Sequence, residues 1–222
     1  MSGRENAGMT MASQQSSDKR THILNVAGRL FLENGFAGTS MGDIAKAGAG
    51  SKGTLYTYFD SKEQMFDEFM HSEIEARANL VFELPEHTEN PAAALRELGV
   101  RYLKLTTHPT VSAILRLVIA EASRFPKIGK LFYDGGPKAA HDKLTAFLHR
   151  CVEQGHFAIP DVSLAASQFV RLCQADIWLE FLLCVREAPD SGEINYLVDS
   201  AVEAFAAAYG RRSGASAPQS HQ

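Results

Sequence analysis

Nine consecutive residues, Ser51-Lys52-Gly53-Thr54-Leu55-Tyr56-Thr57-Tyr58-Phe59, gather hydroxyls, one cation and two phenol edges into a short segment. These types suit a polyanion better than a reacting centre. Cations, hydroxyls and amides bind phosphate oxygens, while hydroxyl and aromatic edges can meet bases. Two other constellations invite different chemistry. Glu68 and His71, and again Glu153 and His156, repeat the Glu-x-x-His spacing by which di-iron bundles hold metal. The second pair fails because Gly155 ends its helix before His156, and the first lies on what should be a wet face. His141 and His149 stand eight residues apart, beyond sharing one ion. Cys173 and Cys184 stand eleven apart, about 16 Å along a continuous helix, and cannot bridge within one chain. No glycine-rich phosphate loop, serine elbow or catalytic cysteine context appears, so no enzyme, no metal and no cofactor is expected.

The 51–59 segment needs neighbours to hold it. Ile23, Ala27, Leu30 and Phe31 form an i, i+4, i+7, i+8 stripe that predicts a helix over about 18–34, closed by Gly35. A short helix over about 41–47 starts at Ser40, with Asp43 three residues on, and stops near Gly48. Gly48-Ala49-Gly50-Ser51 then turns the chain into a third helix, over about 52–58. Helices this short are marginal alone. Ile44, Ala45 and Leu55 are therefore expected to pack on the 27–31 stripe, with Phe59 anchored inward beside Leu55. Three helices with a glycine-bearing turn between the last two form a helix-turn-helix, which lays its last helix in the major groove of double-stranded DNA. Gly53 lets the backbone approach a sugar-phosphate strand, and Lys62 opens the next helix at a height to reach it.

The remainder of the 222-residue chain also has helical period, with no convincing alternation of strand type. Further helices are predicted from Ser61 to Leu84, from Asn90-Pro91, from Thr110, after Pro126, and over about 137–154, 162–187 and 192–209. The expected fold is all-α. An N-terminal three-helix helix-turn-helix DNA-binding domain spans 18–64, and a six-helix C-terminal ligand-binding and dimerisation domain spans 65–209. A disordered arm over 1–17 and a disordered tail over 210–222 flank them.

At 45% hydrophobic and 22% charged, the chain can bury a sizeable core. Net charge is −4, but residues 1–62 carry seven basic and five acidic side chains, a net +2 that leaves −6 for the rest. A mildly basic head on an acidic body suggests two parts with different partners. No apolar run approaches the roughly 18 residues of a membrane span, so no membrane association is expected. Three cysteines and no secretory-type apolar stretch suit the cytoplasm.

One head alone makes few base contacts, each good bidentate pair contributing about 1–3 kcal/mol. Two heads about 34–36 Å apart would read a palindromic operator. A homodimer is expected through the last two helices, where Ala201, Ala204, Ala206, Ala207 and Ala208 permit close approach. The body is large enough to enclose a pocket for a small-molecule effector. Candidate aromatic lining is Phe69, Phe125, Phe132, Phe147, Phe169 and Trp178, although aromatic stripes are more often plain core. Arg116 and Glu121, charges on a helix apolar on most sides, are candidate polar contacts. The competing reading is an all-α binding or enzymatic module with a vestigial head.

Residues 23–70 resemble the DNA-binding domain of TetR-family transcriptional regulators. The resemblance is carried by Phe31, Asn34-Gly35-Phe36, Thr39-Ser40, Ile44-Ala45, Lys52-Gly53, Leu55-Tyr56, Tyr58-Phe59 and Ser61-Lys62-Glu63. It implies phosphate contacts from Ser40, Met41, Ser51, Lys52, Tyr56, Tyr58 and Lys62. It implies base contacts from Thr54 and Thr57, with Lys52 and Gly53 close by. Met41 departs from the hydroxyl common at that place, which leaves the contact to the backbone or Ser40. Residues 116–137 and 144–157 resemble the C-terminal domain of AefR-like members, over roughly 90–208 of the chain. This second resemblance implies a repressor linked to efflux or to a signal-dependent gene set and names no ligand; release from DNA by a small lipophilic ligand bound in the C-terminal domain is the expectation for this chain.

Overall fold

The computed structural model describes residues 3–81 and 83–211, with side chains for 14–74, 76 and 83–211. Its helices are α1 (Gly3–Gly38), α2 (Met41–Ile44), α3 (Lys52–Tyr58), α4 (Lys62–Val81), α5 (Pro91–Thr106) and α6 (Pro109–Glu121). They continue with α7 (Pro126–Tyr133), α8 (Ala139–Glu153), α9 (Val162–Gln174), α10 (Ile177–Leu182) and α11 (Ser191–Tyr209). Among the described residues the one β-type pairing is a bridge between Phe157 and Gly210. The protein is all-α with a helix-turn-helix at its N-terminus.

Helices begin where a side chain can take an orphan amide. Asn90 accepts from the Ala93 amide at 3.1 Å, Asp161 from Leu164 at 2.9 Å and Asp190 from Gly192 at 2.7 Å. Pro91 and Pro126 occupy the first turns of α5 and α7, where the missing N–H costs nothing. Gly35 breaks the helical backbone of α1 with φ 79 and ψ 165, at the place the sequence sets for the stop.

Three elements differ from the sequence expectation. α1 is helical from Gly3, where a disordered arm is expected through residue 17. No proline interrupts that stretch, so a helix nucleated by the buried Ile23–Phe31 stripe propagates backwards along it. α4 ends at Val81, short of Leu84. The segment 162–187, expected as one helix, is two: Ala175 takes φ 40 and ψ −147 between α9 and α10. Among the described residues, seven helices rather than six therefore follow residue 90. Leu172, Leu179 and Leu183 remain exposed along this stretch, so no burial on that side holds it straight. As a result Cys173 and Cys184 do not share a helix. Cys173 is buried on α9, and Cys184 is exposed beyond α10 with φ 58.

The chain divides into two compact units. The first comprises residues 1–76 and 113–136. Its core joins Ile23, Ala27, Phe31, Ile44, Leu55 and Phe59 to Met65, Phe66, Ile114, Leu117, Val118 and Ile128. At its centre the Phe36 ring meets Phe66 at 5.0 Å and Phe125 at 5.1 Å, both edge to face. The 113–136 segment thus belongs to the core that supports the head, although sequence reading assigns it to the body. The second unit comprises 77–112 and 137–222. There α11 packs on α5 and α9, and α8 on α9, around Leu95, Leu98, Phe147, Phe169, Cys173, Val198 and Phe205. Gly99 sets the closeness of α5, since a Cβ there would lie 2.8 Å from Val198 and 3.2 Å from the Cys173 sulfur.

Candidate nucleic-acid interface

The helix-turn-helix is assembled from two N-caps and a glycine turn. Ser40 caps α2: its hydroxyl accepts from the Asp43 amide at 3.2 Å, and the Asp43 carboxylate accepts from the Ser40 amide at 3.0 Å and hydroxyl at 2.6 Å. Those donations hold the Asp43 carboxyl below its ordinary range, the hydroxyl first and the amide second; Lys46 and Lys52 add smaller attractions. After α2 the backbone widens through Ala45–Ala49, and Gly48 and Gly50 take φ 100 and φ 121. Neither angle is open to a branched side chain, so this turn needs its glycines. Ser51 then caps α3 by accepting from the Thr54 amide at 3.1 Å, and its hydroxyl also pairs with that of Thr54 at 2.9 Å.

α3 has two faces. Leu55 is fully buried and Phe59 nearly so, in the core with Ile44, Ala27 and Phe31. Ser51, Lys52, Gly53, Tyr56 and Thr57 are exposed, Tyr56 by 56%, and Thr54 and Tyr58 are half-buried. The Thr57 hydroxyl donates to the Gly53 carbonyl at 3.1 Å, so its methyl and remaining lone pairs face outward. Lys52 crosses onto α2: a Cβ at Gly42 would lie 3.0 Å from Lys52 Cε and 3.3 Å from Nζ. One cation therefore stands beside the first turns of both short helices, where unpaired amides and helix dipoles already favour an anion.

The sequence-predicted set is not uniform. Ser40, Ser51, Lys52, Gly53, Thr54, Tyr56 and Thr57 lie on the α2–α3 surface. Met41 is half-buried and packs against the head core, so its backbone is the group offered outward. Lys62 is engaged: its ammonium donates to the Phe36 carbonyl at 2.7 Å and sits 4.2 Å from the Phe36 ring centroid. Three supports lie behind this surface: Thr39, which the sequence marks within the family resemblance without a role, and Arg20 and His22, which it does not mark. Thr39, 2% exposed, donates to the Leu30 carbonyl at 3.1 Å and the Gly35 carbonyl at 2.9 Å, closing the end of α1. Arg20 pairs with Glu68 at 2.5 Å and lies 4.6 Å from the Phe59 ring centroid. His22 meets the Gly48 carbonyl at 3.3 Å. Only Thr39 carries a local signal, a hydroxyl immediately before a cap.

The candidate pocket residues divide between the two cores. Phe69 and Glu121 are buried in the first unit, where Phe125 and Phe132 pack against the core and Arg116 is half-buried on α6. Phe147 and Phe169 fill the core of the second unit, and Trp178 is half-buried on α10. A surface hollow in the second unit is lined by His87, Thr88, Glu89, Gln154 and His156, none of them a candidate for the effector pocket. Among the described residues no three His, Cys, Asp or Glu side chains cluster to hold a metal, and no helix is long and apolar enough to cross a membrane.

Comparison with known proteins places this geometry. Residues 23–69 match the family described as bacterial regulatory proteins, tetR family, and residues 93–211 match the AefR-like transcriptional repressor C-terminal domain. The HTH-type transcriptional regulator UidR of Escherichia coli K12 is 30% identical over 156 residues, covering 68% of this chain and 74% of that protein. The solved structure of the flavonoid-responsive regulator FrrA is 32% identical, with a TM-score of 0.75, covering 89% of this chain and all of that one. A putative TetR-family regulator from Mesorhizobium loti is 27% identical, with a TM-score of 0.72, covering 88% of this chain and 98% of that one.

Proposed function

The chain belongs to the TetR family of transcriptional regulators, with an AefR-like C-terminal domain, and from that premise we propose that it represses transcription from a palindromic operator. It binds there as a homodimer, in the cytoplasm, and leaves when a small lipophilic effector occupies its C-terminal domain. The observation that carries the DNA reading is the split of α3. Leu55 and Phe59 hold the helix to the core, while Lys52, Gly53, Tyr56 and Thr57 stand clear of it. In this reading Ser40, the Met41 backbone, Ser51, Lys52, Tyr56 and Tyr58 take phosphates, and Thr54 and Thr57 meet base edges. Gly53 lets the strand come close. Lys62, committed to the Phe36 carbonyl, serves first as a strut of the turn before α2, with its remaining protons free for phosphate.

A second copy is the partner proposed for α10 and α11. Leu179 on α10, Leu183 and Val185 just beyond it and Tyr196 on α11 are 50–74% exposed, an apolar surface that dimerisation would cover. The effector is proposed from the family and from FrrA, whose name describes a flavonoid-responsive regulator. Of the residues expected from the sequence, Phe69, Arg116, Phe125 and Phe132, all in the first unit, are its candidate contacts. Effector binding favours dimers whose heads no longer match the half-site spacing, so DNA and effector compete through one equilibrium.

The test begins with duplexes retained by the purified full-length protein from a random pool. Affinity should fall steeply with added salt, and Lys52→Ala should lower the slope of log K against log salt by about 1.8, one phosphate's worth from each head of the dimer. Tyr56→Ala should weaken binding to all retained duplexes. Affinity indifferent to salt and to both substitutions would refute the assignment.

A further inference from the structure

Glu121 is the one Asp, Glu, Lys or Arg among the described residues that is buried, at 9% exposure. It ends α6, and its carboxylate Oε1 accepts from the Ala37 amide at 3.0 Å. Ala37 lies in the turn between the break of α1 at Gly35 and the cap of α2 at Ser40. A buried carboxylate is costly unless a donor meets it, and here the donor is the backbone amide two residues past the break of α1 at Gly35. The same oxygen would lie 3.2 Å from a Cβ at residue 35, so the positive φ of Gly35 and the approach of Glu121 require each other's space. The neighbouring Phe36 carbonyl takes the Lys62 ammonium at 2.7 Å, and Thr39 ties the following peptide back to the Leu30 and Gly35 carbonyls. Three side chains, from α4, α6 and the turn itself, therefore fix the peptides at 35–39.

We infer that Glu121 is a positioning residue for DNA binding: through the Ala37 amide it sets where the first turn of α2 stands against a phosphate. This rests on the DNA reading above. Ser40 is three residues beyond Ala37, and its cap, the Met41 backbone and the Lys52 side chain over Gly42 are the groups whose placement the turn decides. Of the three ties, Glu121 supplies the only one from α6, a helix of the 113–136 segment that sequence reading left outside the head. Its role differs from the pocket contact expected from the sequence, since its carboxylate points at the head backbone.

The inference is tested with full-length Glu121→Ala and Glu121→Gln and two measurements. The first is backbone hydrogen exchange without DNA. Glu121→Ala should speed exchange at residues 37–44 while amides of α3 and α4 keep their rates, and Glu121→Gln, whose amide oxygen can still accept, should restore protection. Unchanged exchange at 37–44, or faster exchange throughout the head, overturns the inference whether or not the protein binds DNA. The second is phosphate-ethylation interference on a duplex retained by the wild-type protein. Glu121→Ala should bind about tenfold more weakly, because the loosened turn must then be ordered when DNA binds. It should lose the interference at phosphates facing α2 and keep that at phosphates facing α3, with Glu121→Gln close to wild type. Loss of affinity under Lys52→Ala but none under Glu121→Ala leaves the DNA reading standing and overturns this inference. Failure of the wild type to retain any duplex overturns the DNA reading instead, and with it the role assigned to Glu121.

Discussion

Leu55 and Tyr56 are neighbours on α3 with opposite duties. Leu55 has no solvent exposure and touches the head core, so Leu55→Ala should cost about 2–5 kcal/mol of stability, read as an earlier unfolding midpoint in urea. Tyr56 is 56% exposed, so Tyr56→Ala should move the same midpoint by no more than about 0.5 kcal/mol while weakening DNA binding. A substitution that damages fold and binding equally at both positions would contradict the two-faced description of the helix. Asp43 offers a test in acid. Its carboxyl is held below its ordinary value of 3.8 by the Ser40 donors, so the folded state binds that proton less readily than the unfolded chain does. The stabilising contribution is complete above the ordinary value and fades as pH falls through the lower folded one. Asp43→Asn should therefore flatten part of the acid limb of stability against pH and leave the neutral and alkaline range parallel to wild type. At the other extreme, burial pushes the Cys173 thiol up to about 12 and the Cys151 thiol up to about 11, and both should resist alkylation at pH 8 until the protein unfolds.

Among the elements, the junction of α9 and α10 is the most exposed to challenge. Ala175 holds φ 40 and ψ −147, a conformation costing about 1–3 kcal/mol for a residue with a Cβ. Glycine would relieve most of it, so Ala175→Gly should raise the melting temperature by a few degrees. A fall would show that residues 162–187 run as one unbroken helix, the form their periodicity predicts. That contrast explains what the chain announces and what it conceals. Caps are local: Ser40, Ser51, Asn90 and Asp161 each bond an amide three residues away, and the sequence marks most helix starts for that reason. The inward turn of Leu55 and Phe59 is readable from spacing alone. Lys62 with Phe36 and Glu121 with Ala37 are separated by 26 and 84 positions, and no period records such partners. The kink at Ala175 has neither glycine nor proline to announce it. It depends on which faces of the helix find neighbours, as Leu172 and Leu179 do not.

For the molecule as a whole, the first compact unit is discontinuous in sequence. Ile114, Leu117, Val118 and Ile128 share a core with Phe31, Leu55 and Phe66, so a fragment ending at Ala76 lacks one wall of that core. Such a fragment should unfold at lower denaturant, with a shallower transition, than one in which 113–136 is rejoined by a short linker. Equal midpoints would mean that the wall contributes little. The head therefore cannot be exchanged as a cassette cut at the end of the helix-turn-helix. The discontinuity also sets an order in time. A ribosome adding about 5–20 residues per second needs several seconds to travel from Ala76 to Ile128. Through that interval the nascent helix-turn-helix is chemically complete yet still waiting for its last wall, a window in which chaperones would find Phe31 and Phe66 uncovered.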